Sequence, residues 1–277
     1  MRAQLSGRLG NQLFEFAHAK EISKRSGAKL KLVWDDYSYP KGLNDDLSEL
    51  RLHNLYKSNS VGLLLKILDK IKKHSSKFEH FLSRTMGVYR EQHKKKSRKA
   101  RVVSGFYQDY QWAEGSCAEI QELLEKAKVL FQFEVDNLSL PNDYQVIHYR
   151  CGDYLGHPGN FGVLSIDYYE KNLDESLPVY ILTDSYDRAS EKFKELGSFN
   201  VISPNQCSAW AALVVMSEAK LILSSNSTLS WWGSFLAVKK GGRAVIPEPF
   251  FANGIKTSLL HPDFLPSESI FEVDSEK

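Results

Sequence analysis

The chain has 277 residues, 42% of them apolar, and a formal net charge of +2. That length holds one large domain or two ordinary ones, the apolar share excludes a wholly disordered chain, and so small a charge is no sign of a nucleic-acid partner. Cys117, Cys151 and Cys207 are odd in number, far apart and without a C-x-x-C, which excludes a disulfide framework or a cysteine zinc site and fits a reducing compartment.

The opening predicts a short strand, a Gly-containing turn at Ser6–Gln12, and a helix whose apolar stripe includes Leu13, Phe14, Ala17 and Ile22 and which stops at Gly27. Lys29–Trp34 alternates as a strand. Asp35–Ser60, rich in Asp, Asn, Ser and Tyr, is expected to be loops. Lys66–Arg101 carries thirteen Lys and Arg against Asp69, Glu79 and Glu91, with Leu63, Leu64, Ile67, Leu68 and Ile71 leading in at helical spacing. Two alternatives stand for it: a solvated helical hairpin, or a surface for anionic lipid or a negatively charged acceptor carrier.

A helix is predicted near Cys117–Phe131, and the polar stretch Asp136–Asp143 with Pro141 reads as a linker between domains at 1–140 and 141–277. Beyond it, strands at Tyr144–Tyr149, Val179–Thr183, Asn200–Ser203, Leu221–Ser224 and Ala244–Pro247 alternate with helices near Asp167–Glu175, Tyr186–Leu196, Ala209–Ala219 and Leu229–Lys239. Such alternation is the pattern of a doubly wound parallel sheet, and the second domain is the expected nucleotide-binding one. The opening MRAQLSGRLG lacks the apolar centre of a signal peptide, and no apolar run approaches the ~18 residues of a membrane span. The expected location is the cytoplasm, with peripheral membrane contact through 66–101 as an option.

Four places put chemistry-bearing residues at strand ends, where open α/β sheets bind ligands. In Ser6–Gln12 a Gly turn opens a helix and offers backbone N–H groups to a phosphate or sugar oxygen, but it is neither a dinucleotide fingerprint nor a P-loop. In His148-x-Arg150-x-x-Asp153 the arginine supplies a planar fork of donors suited to a diphosphate, and Asp153 orients Arg150 or His148 or acts as a base. Asp184, after Thr183, is either a helix N-cap or a contact to ribose or base. Ser224-Ser-Asn-Ser-Thr228 gathers more small polar side chains than capping requires, at the positive end of a helix dipole, which points to an anion. No D-x-D triplet or spaced histidine pair suggests a metal.

Five segments, in order, resemble the α-1,2-fucosyltransferases of glycosyltransferase family 11. "SGRLGNQLFEFAHAK" is similar to the family's G-G-L-G-N-Q-[LM]-F-Q-Y-A, "GFYQDY" to G-[YF]-[FW]-Q-[SD], and "HYRCGDYL" to H-[VI]-R-R-G-D-Y. "FGVLSIDYY" resembles the segment that follows, and "LILSSNSTLSWWGSFL" the closing I-x-x-N-S-[ST]-[FL]-S-W-W. The resemblance implies a GT-B-like α/β fold of two Rossmann-type domains facing a cleft. It implies inverting, metal-independent transfer of fucose from GDP-fucose, with no cofactor, to the 2-hydroxyl of a terminal galactose on a glycan, which could be lipid-linked, as in O-antigen synthesis.

Carried over by position, Arg150 binds the diphosphate with His148 and Asp153 in support. Asn226, Ser227, Thr228 and Ser230 line the phosphate side, and Gly7, Gly10, Asn11 and Gln12 close the cleft. Cys151 stands where the family has a second arginine, and Arg8, in place of a usual glycine, is the candidate to supply that charge. A guanine-reading Asp expected in the helix before the last motif is replaced by Ala209-Trp-Ala-Ala-Leu213. Alternatives are a fucosyltransferase of another linkage and a non-catalytic nucleotide-sugar or glycan-binding module.

Overall fold

In the computed structural model, residues 1–34, 46–50, 55–91, 100–156 and 158–272 are described. They divide into two units, Met1–Leu123 and Leu124–Lys277. The division falls ahead of the linker expected near 140. Phe131, Val135, Leu138 and Leu140 pack on the core of the second unit, so the polar stretch belongs to it.

The first unit runs β1 (Arg2–Gln4), α1 (Leu9–Ser26), β2 (Lys31–Trp34), a 3-10 turn (Asp46–Leu50), β3 (Leu55–Lys57), α2 (Asn59–His74), α3 (Ser76–Met86), β4 (Val88–Arg90), β5 (Val102–Ser104), α4 (Tyr110–Gly115) and the first half of α5 (Cys117–Leu130). The sheet is parallel, in the order β3-β2-β1-β5-β4. α1 ends as expected at Gly27, whose φ of 67° is the left-handed cap that glycine adopts without strain. Leu13, Phe14 and Ala17 of its inner face are fully buried. On α2, Val61, Leu65 and Leu68 close over Val33, Val88 and Val102 of the sheet. Parts of the expected 35–60 loops, and residues 92–99 of the basic region, lie outside the described residues.

The second unit contains α6 (Gln132–Asp136), β6 (Gln145–Tyr149), a 3-10 turn (Asp153–Gly156), α7 (Ile166–Glu170), β7 (Val179–Thr183), α8 (Tyr186–Lys192), β8 (Phe199–Ile202), α9 (Ala209–Glu218), β9 (Leu221–Leu223), α10 (Thr228–Lys239), β10 (Arg243–Glu248) and β11 (Leu265–Glu268). All five predicted strands are present within a residue or two, and an edge strand, β11, joins them. The order β11-β10-β9-β6-β7-β8 is wholly parallel. Numbered from β6 in chain order this is 3-2-1-4-5-6, the doubly wound Rossmann arrangement.

Both faces of that sheet are covered, and the period of two shows directly. Val146, Tyr180, Leu182 and Ile222 enter one apolar layer with Ala211, Val215 and Met216 of α9. Ile147, Tyr149, Ile181, Leu221 and Leu223 enter the other, with Tyr168, Tyr169 and Phe193. Each such side chain removed from water contributes roughly 1.5–3 kcal/mol. The Trp231-Trp232 pair of the last motif is also core. Both rings are fully buried, and Trp231 Nε1 donates to the Leu259 carbonyl at 2.6 Å. At Gly233 a Cβ would lie 2.5 Å from Met216 Cβ, so the glycine sets how closely α10 approaches α9.

Candidate active site

In the second sheet, the chain proceeds from β6 through β7 to β8 on one side and from β9 to β11 on the other. The reversal falls between β6 and β9, and the carboxyl ends of strands at such a switch point form the binding crevice of this fold. Register then decides which residues meet there. Tyr149 pairs with Thr183, so Arg150 and Asp184 leave the sheet side by side. Ile147 pairs with Leu223, so His148, still within β6, lies beside Ser224 at the start of the turn.

Arg150 is held from two sides. Its Nε and Nη2 donate to Asp153 Oδ1 at 3.1 and 2.7 Å, and Asp184 Oδ2 lies 3.1 Å from Nε. The Tyr154 ring flanks the guanidinium carbon at 5.6 Å. Burial alone would weaken the cation, but Asp184 and Asp153 hold the guanidinium's pKa above its ordinary value. Among the described residues Nη1 makes no hydrogen bond, which leaves its two N–H groups for an anion.

Asp184 does not cap α8, the first of the two tasks expected of it. Its Oδ1 accepts from the backbone N–H groups of Cys151 and Gly152 at 3.0 and 3.2 Å. Ser185, not Asp184, occupies the N-cap of α8. Burial raises the carboxyl's pKa, yet Arg150 and the two N–H groups hold it below the usual carboxylate range. A Cβ at Gly152 would stand 2.6 Å from Asp184 Oδ2, so only glycine permits this approach. Asp184 therefore clamps both the arginine and the loop that carries it.

His148 is buried, with Nδ1 2.7 Å from Ser225 Oγ. Burial and the Arg150 cation push its imidazole down to about 4, so it is neutral at pH 7. Tyr169 Oη donates to the His148 carbonyl at 3.1 Å. The histidine thus ties β6 to the Ser224–Thr228 turn.

In that turn, Ser224 Oγ donates to Ser230 Oγ at 2.8 Å and to the Ser225 carbonyl, while Ser230 Oγ donates to the Ser225 and Ser227 carbonyls. Asn226 Nδ2 donates to the carbonyls of Phe161 and Gly162 at 2.6 and 3.1 Å. Ser227 caps α10 by accepting from Leu229 N. Asn226 and Ser230 are buried supports, and Thr228, half-buried, is the most accessible of the four residues expected at the phosphates. Tyr154 escaped the sequence-based selection although "HYRCGDYL" contains it. Its Oη donates to the Asn226 carbonyl at 3.0 Å, and its ring stacks on Phe161 at 4.9 Å.

Cys151 is fully buried in the apolar layer with Tyr149, Val163 and Leu164, its Sγ 3.8 Å from Asp184 Oδ1. Ala209–Leu213 lies in α9, with Trp210 and Ala211 fully buried.

The first unit gathers its own motifs at its switch point, where β1 lies between β2 and β5. Gly7 has φ of 69°, and Gln12 is buried: Nε2 donates to the Gly7 carbonyl at 3.0 Å and Oε1 accepts from Leu47 N at 3.0 Å. Gln108 of "GFYQDY" donates to Asn11 Oδ1 at 3.1 Å, so the first two motifs meet. Gly10 is buried within α1. Arg8 sits at the N-cap of α1 with its side chain exposed. Tyr107, from the same "GFYQDY", stacks on the buried His18 at 3.5 Å. Burial and Arg25 lower the His18 pKa to about 3.

Among the described residues, no three or more His, Cys, Asp or Glu are grouped to hold a metal ion, and no helix is long and apolar enough to cross a membrane.

Residues 2–252 match the profile of "Glycosyl transferase family 11". The chain is 27% identical to the O-antigen biosynthesis glycosyltransferase WbnK of Escherichia coli, over 94% of this chain and 97% of that one. It is 24% identical to an Escherichia coli alpha-1,2-colitosyltransferase, over 90% and 91% respectively. A crystal structure of the alpha-1,6-fucosyltransferase NodZ with GDP aligns with 13% identity and a TM-score of 0.42, over 85% of this chain and 91% of that one. With nearly all of its length matched by the family profile, the chain belongs to glycosyl transferase family 11.

Proposed function

We propose that this glycosyltransferase moves L-fucose from GDP-fucose to the 2-hydroxyl of a terminal galactose, with inversion and without a metal, in the assembly of a bacterial surface polysaccharide. The observation that carries the proposal is Arg150, which follows β6 at the switch point and whose Nη1 makes no hydrogen bond among the described residues. Family membership, the five motif segments and the polysaccharide-directed relative support the reaction class. The donor is read from the fucosyltransferase resemblance.

In the proposed step, the acceptor oxygen forms a bond to C1 of fucose as the bond from C1 to the diphosphate oxygen breaks. The electron pair of that bond leaves with GDP, and the acceptor proton passes to a base. The transition state is oxocarbenium-like, as in glycoside hydrolysis, so stabilising the departing diphosphate is the main demand. Arg150 and the N-terminal end of α10 take that charge. An arginine flanked by two carboxylates has little net attraction for an anion. The donor therefore displaces Asp153, which is more than half exposed, while Asp184 stays bound to Cys151 and Gly152. Released from Arg150, Asp153 is the proposed base, because a carboxylate still paired with a guanidinium is a weak one.

A second donor follows from the alpha-1,2-colitosyltransferase relative: a GDP-linked colitose, which lacks one hydroxyl of fucose. Turnover with each donor, in the presence of EDTA and a galactoside, tests the proposal. Transfer from GDP-fucose supports it, and preference for the deoxy donor corrects the sugar alone. Activity that vanishes with EDTA and returns with magnesium or manganese refutes metal independence. Tight GDP binding with no turnover on any galactoside replaces the enzyme with a binding module.

A further inference from the structure

Helices α2 and α3 form a hairpin whose two faces differ in character. The inner face closes the first unit's core through Val61, Leu65 and Leu68, with Leu82 of α3 packed against it. The outer face should be polar, yet Leu63, Ile67, Phe78 and Phe81 stand on it, the two phenylalanines 53% and 61% exposed. Soluble proteins rarely gather large apolar side chains in one exposed place without a partner for them.

The charges around these side chains are one-sided. Lys66, Lys70, Lys72, Lys73, Lys77 and Arg84 are all exposed. The hairpin's two carboxylates are drawn to Arg90. Asp69 Oδ1 accepts from its Nη1 at 2.7 Å, and the buried Glu79, which accepts from Ser83 Oγ, lies 3.7 Å from it. Helical spacing interleaves the two kinds of group: Leu63, Ile67 and Lys70 follow one line of α2, and Lys77, Phe81 and Arg84 one line of α3. The outer surface therefore offers apolar side chains set among cations, while of the hairpin's two acids Glu79 is buried and Asp69 is paired with Arg90.

We propose that the outer face of the α2–α3 hairpin docks on an anionic lipid bilayer surface, with Phe78, Phe81, Leu63 and Ile67 entering the headgroup boundary and the lysines facing acidic headgroups. Charge complementarity selects this occupant. Two hairpins face to face would oppose the cations of one, Lys70, Lys73, Lys77 and Arg84 among them, with those of the other, a juxtaposition that like charges disfavour. A single-stranded nucleic acid would stack on Phe78 and Phe81 but would leave the aliphatic Leu63 and Ile67 exposed and unused. An anionic bilayer accepts both features at once. The proposal is independent of which sugar donor the enzyme uses.

The test is co-sedimentation of the full chain with phosphatidylcholine vesicles, with and without phosphatidylglycerol, at low and high salt. Binding is expected only with phosphatidylglycerol and should weaken as salt rises. Each lysine near such a surface contributes about fivefold in partitioning, so Lys70→Glu/Lys73→Glu/Lys77→Glu should reduce binding by about a hundredfold or more. Phe78→Ser/Phe81→Ser should reduce it by about tenfold or more. Unchanged urea midpoints would show that the variants fold. Should either variant prove unfolded, amide exchange on the wild type decides: vesicle protection within 59–86 supports the proposal, and protection elsewhere overturns it. No binding to anionic vesicles, equal binding to neutral ones, or binding indifferent to both variants overturns it. So does a hairpin-dependent dimer, or hairpin-dependent polynucleotide binding without vesicle binding.

Discussion

Replacing Asp184 by asparagine keeps the side chain's shape and removes its charge. The native carboxylate serves three donors: Cys151 N–H and Gly152 N–H on Oδ1, and the Arg150 guanidinium 3.1 Å from Oδ2. An amide satisfies only one side. With its oxygen on the two backbone N–H groups, its NH2 faces the guanidinium, donor against donor; turned around, it opposes the N–H groups instead. One charge-assisted contact is lost in the first pose and two in the second, so at least about 1.5–3 kcal/mol of unfolding free energy is lost. Arg150 keeps Asp153 but loses its fixed anchor, and a shift of order 1 Å at a catalytic group costs ~100-fold, so kcat/KM should fall about 10- to 100-fold. The pH dependence has a definite sign. A carboxyl whose pKa is lowered by folding stabilises fully above its unfolded pKa, and that contribution is lost as pH falls through the folded one. The stability gap between wild type and variant should therefore be largest near neutrality, begin to close only below about pH 4, and vanish once the pH passes below the lowered folded pKa. Urea unfolding across that range, with steady-state kinetics at neutral pH, measures both effects. A gap below about 0.5 kcal/mol together with an unchanged kcat/KM would refute the clamp.

His148 should bind its proton only well below its ordinary range, so its contribution to stability is present above about pH 6.5 and lost as pH falls toward 4, by up to about 3 kcal/mol. Since the buried His18 acts in the same direction, the readout is the flattening of the stability–pH curve in His148→Asn relative to wild type. Gly233→Ala would force a Cβ against Met216 and should lower unfolding free energy by about 1–3 kcal/mol while sparing KM for the donor; an unchanged urea midpoint would contradict the close approach of α9 and α10. Trp232→Ala should cost about 3–5 kcal/mol, as core loss does, and a stable but inactive variant would instead assign that ring to the substrate.

The second sheet was legible because its apolar strands alternate regularly with helical stretches. Of the first, only β1 and β2 were legible: β3, β4 and β5 are three residues each, too short to show a period of two. Pro266 masked β11, an edge strand that tolerates proline. Arg150 stood out as a charge closing a buried strand, and it follows β6 directly, beside Asp184. Asp184 also stood out, but its role did not, because its partners lie 33 residues or so upstream and are brought to it by the β6–β7 register. In the Ser224–Thr228 turn, composition revealed an excess of hydroxyls without revealing their direction. Ser224 and Ser230 spend theirs on one another and on carbonyls, and Asn226 holds the Phe161 loop.

Transfer by Arg150 chemistry is tested most directly by incubating wild type and Arg150→Lys with GDP-fucose and a terminal β-galactoside in EDTA, and determining the product linkage by NMR. The wild type should release GDP and form an α-1,2-linked fucoside. The lysine variant, which keeps the charge but loses the planar fork, should turn over about 100- to 1,000-fold more slowly. A different linkage, or a variant within about fivefold of the wild type, would contradict the account.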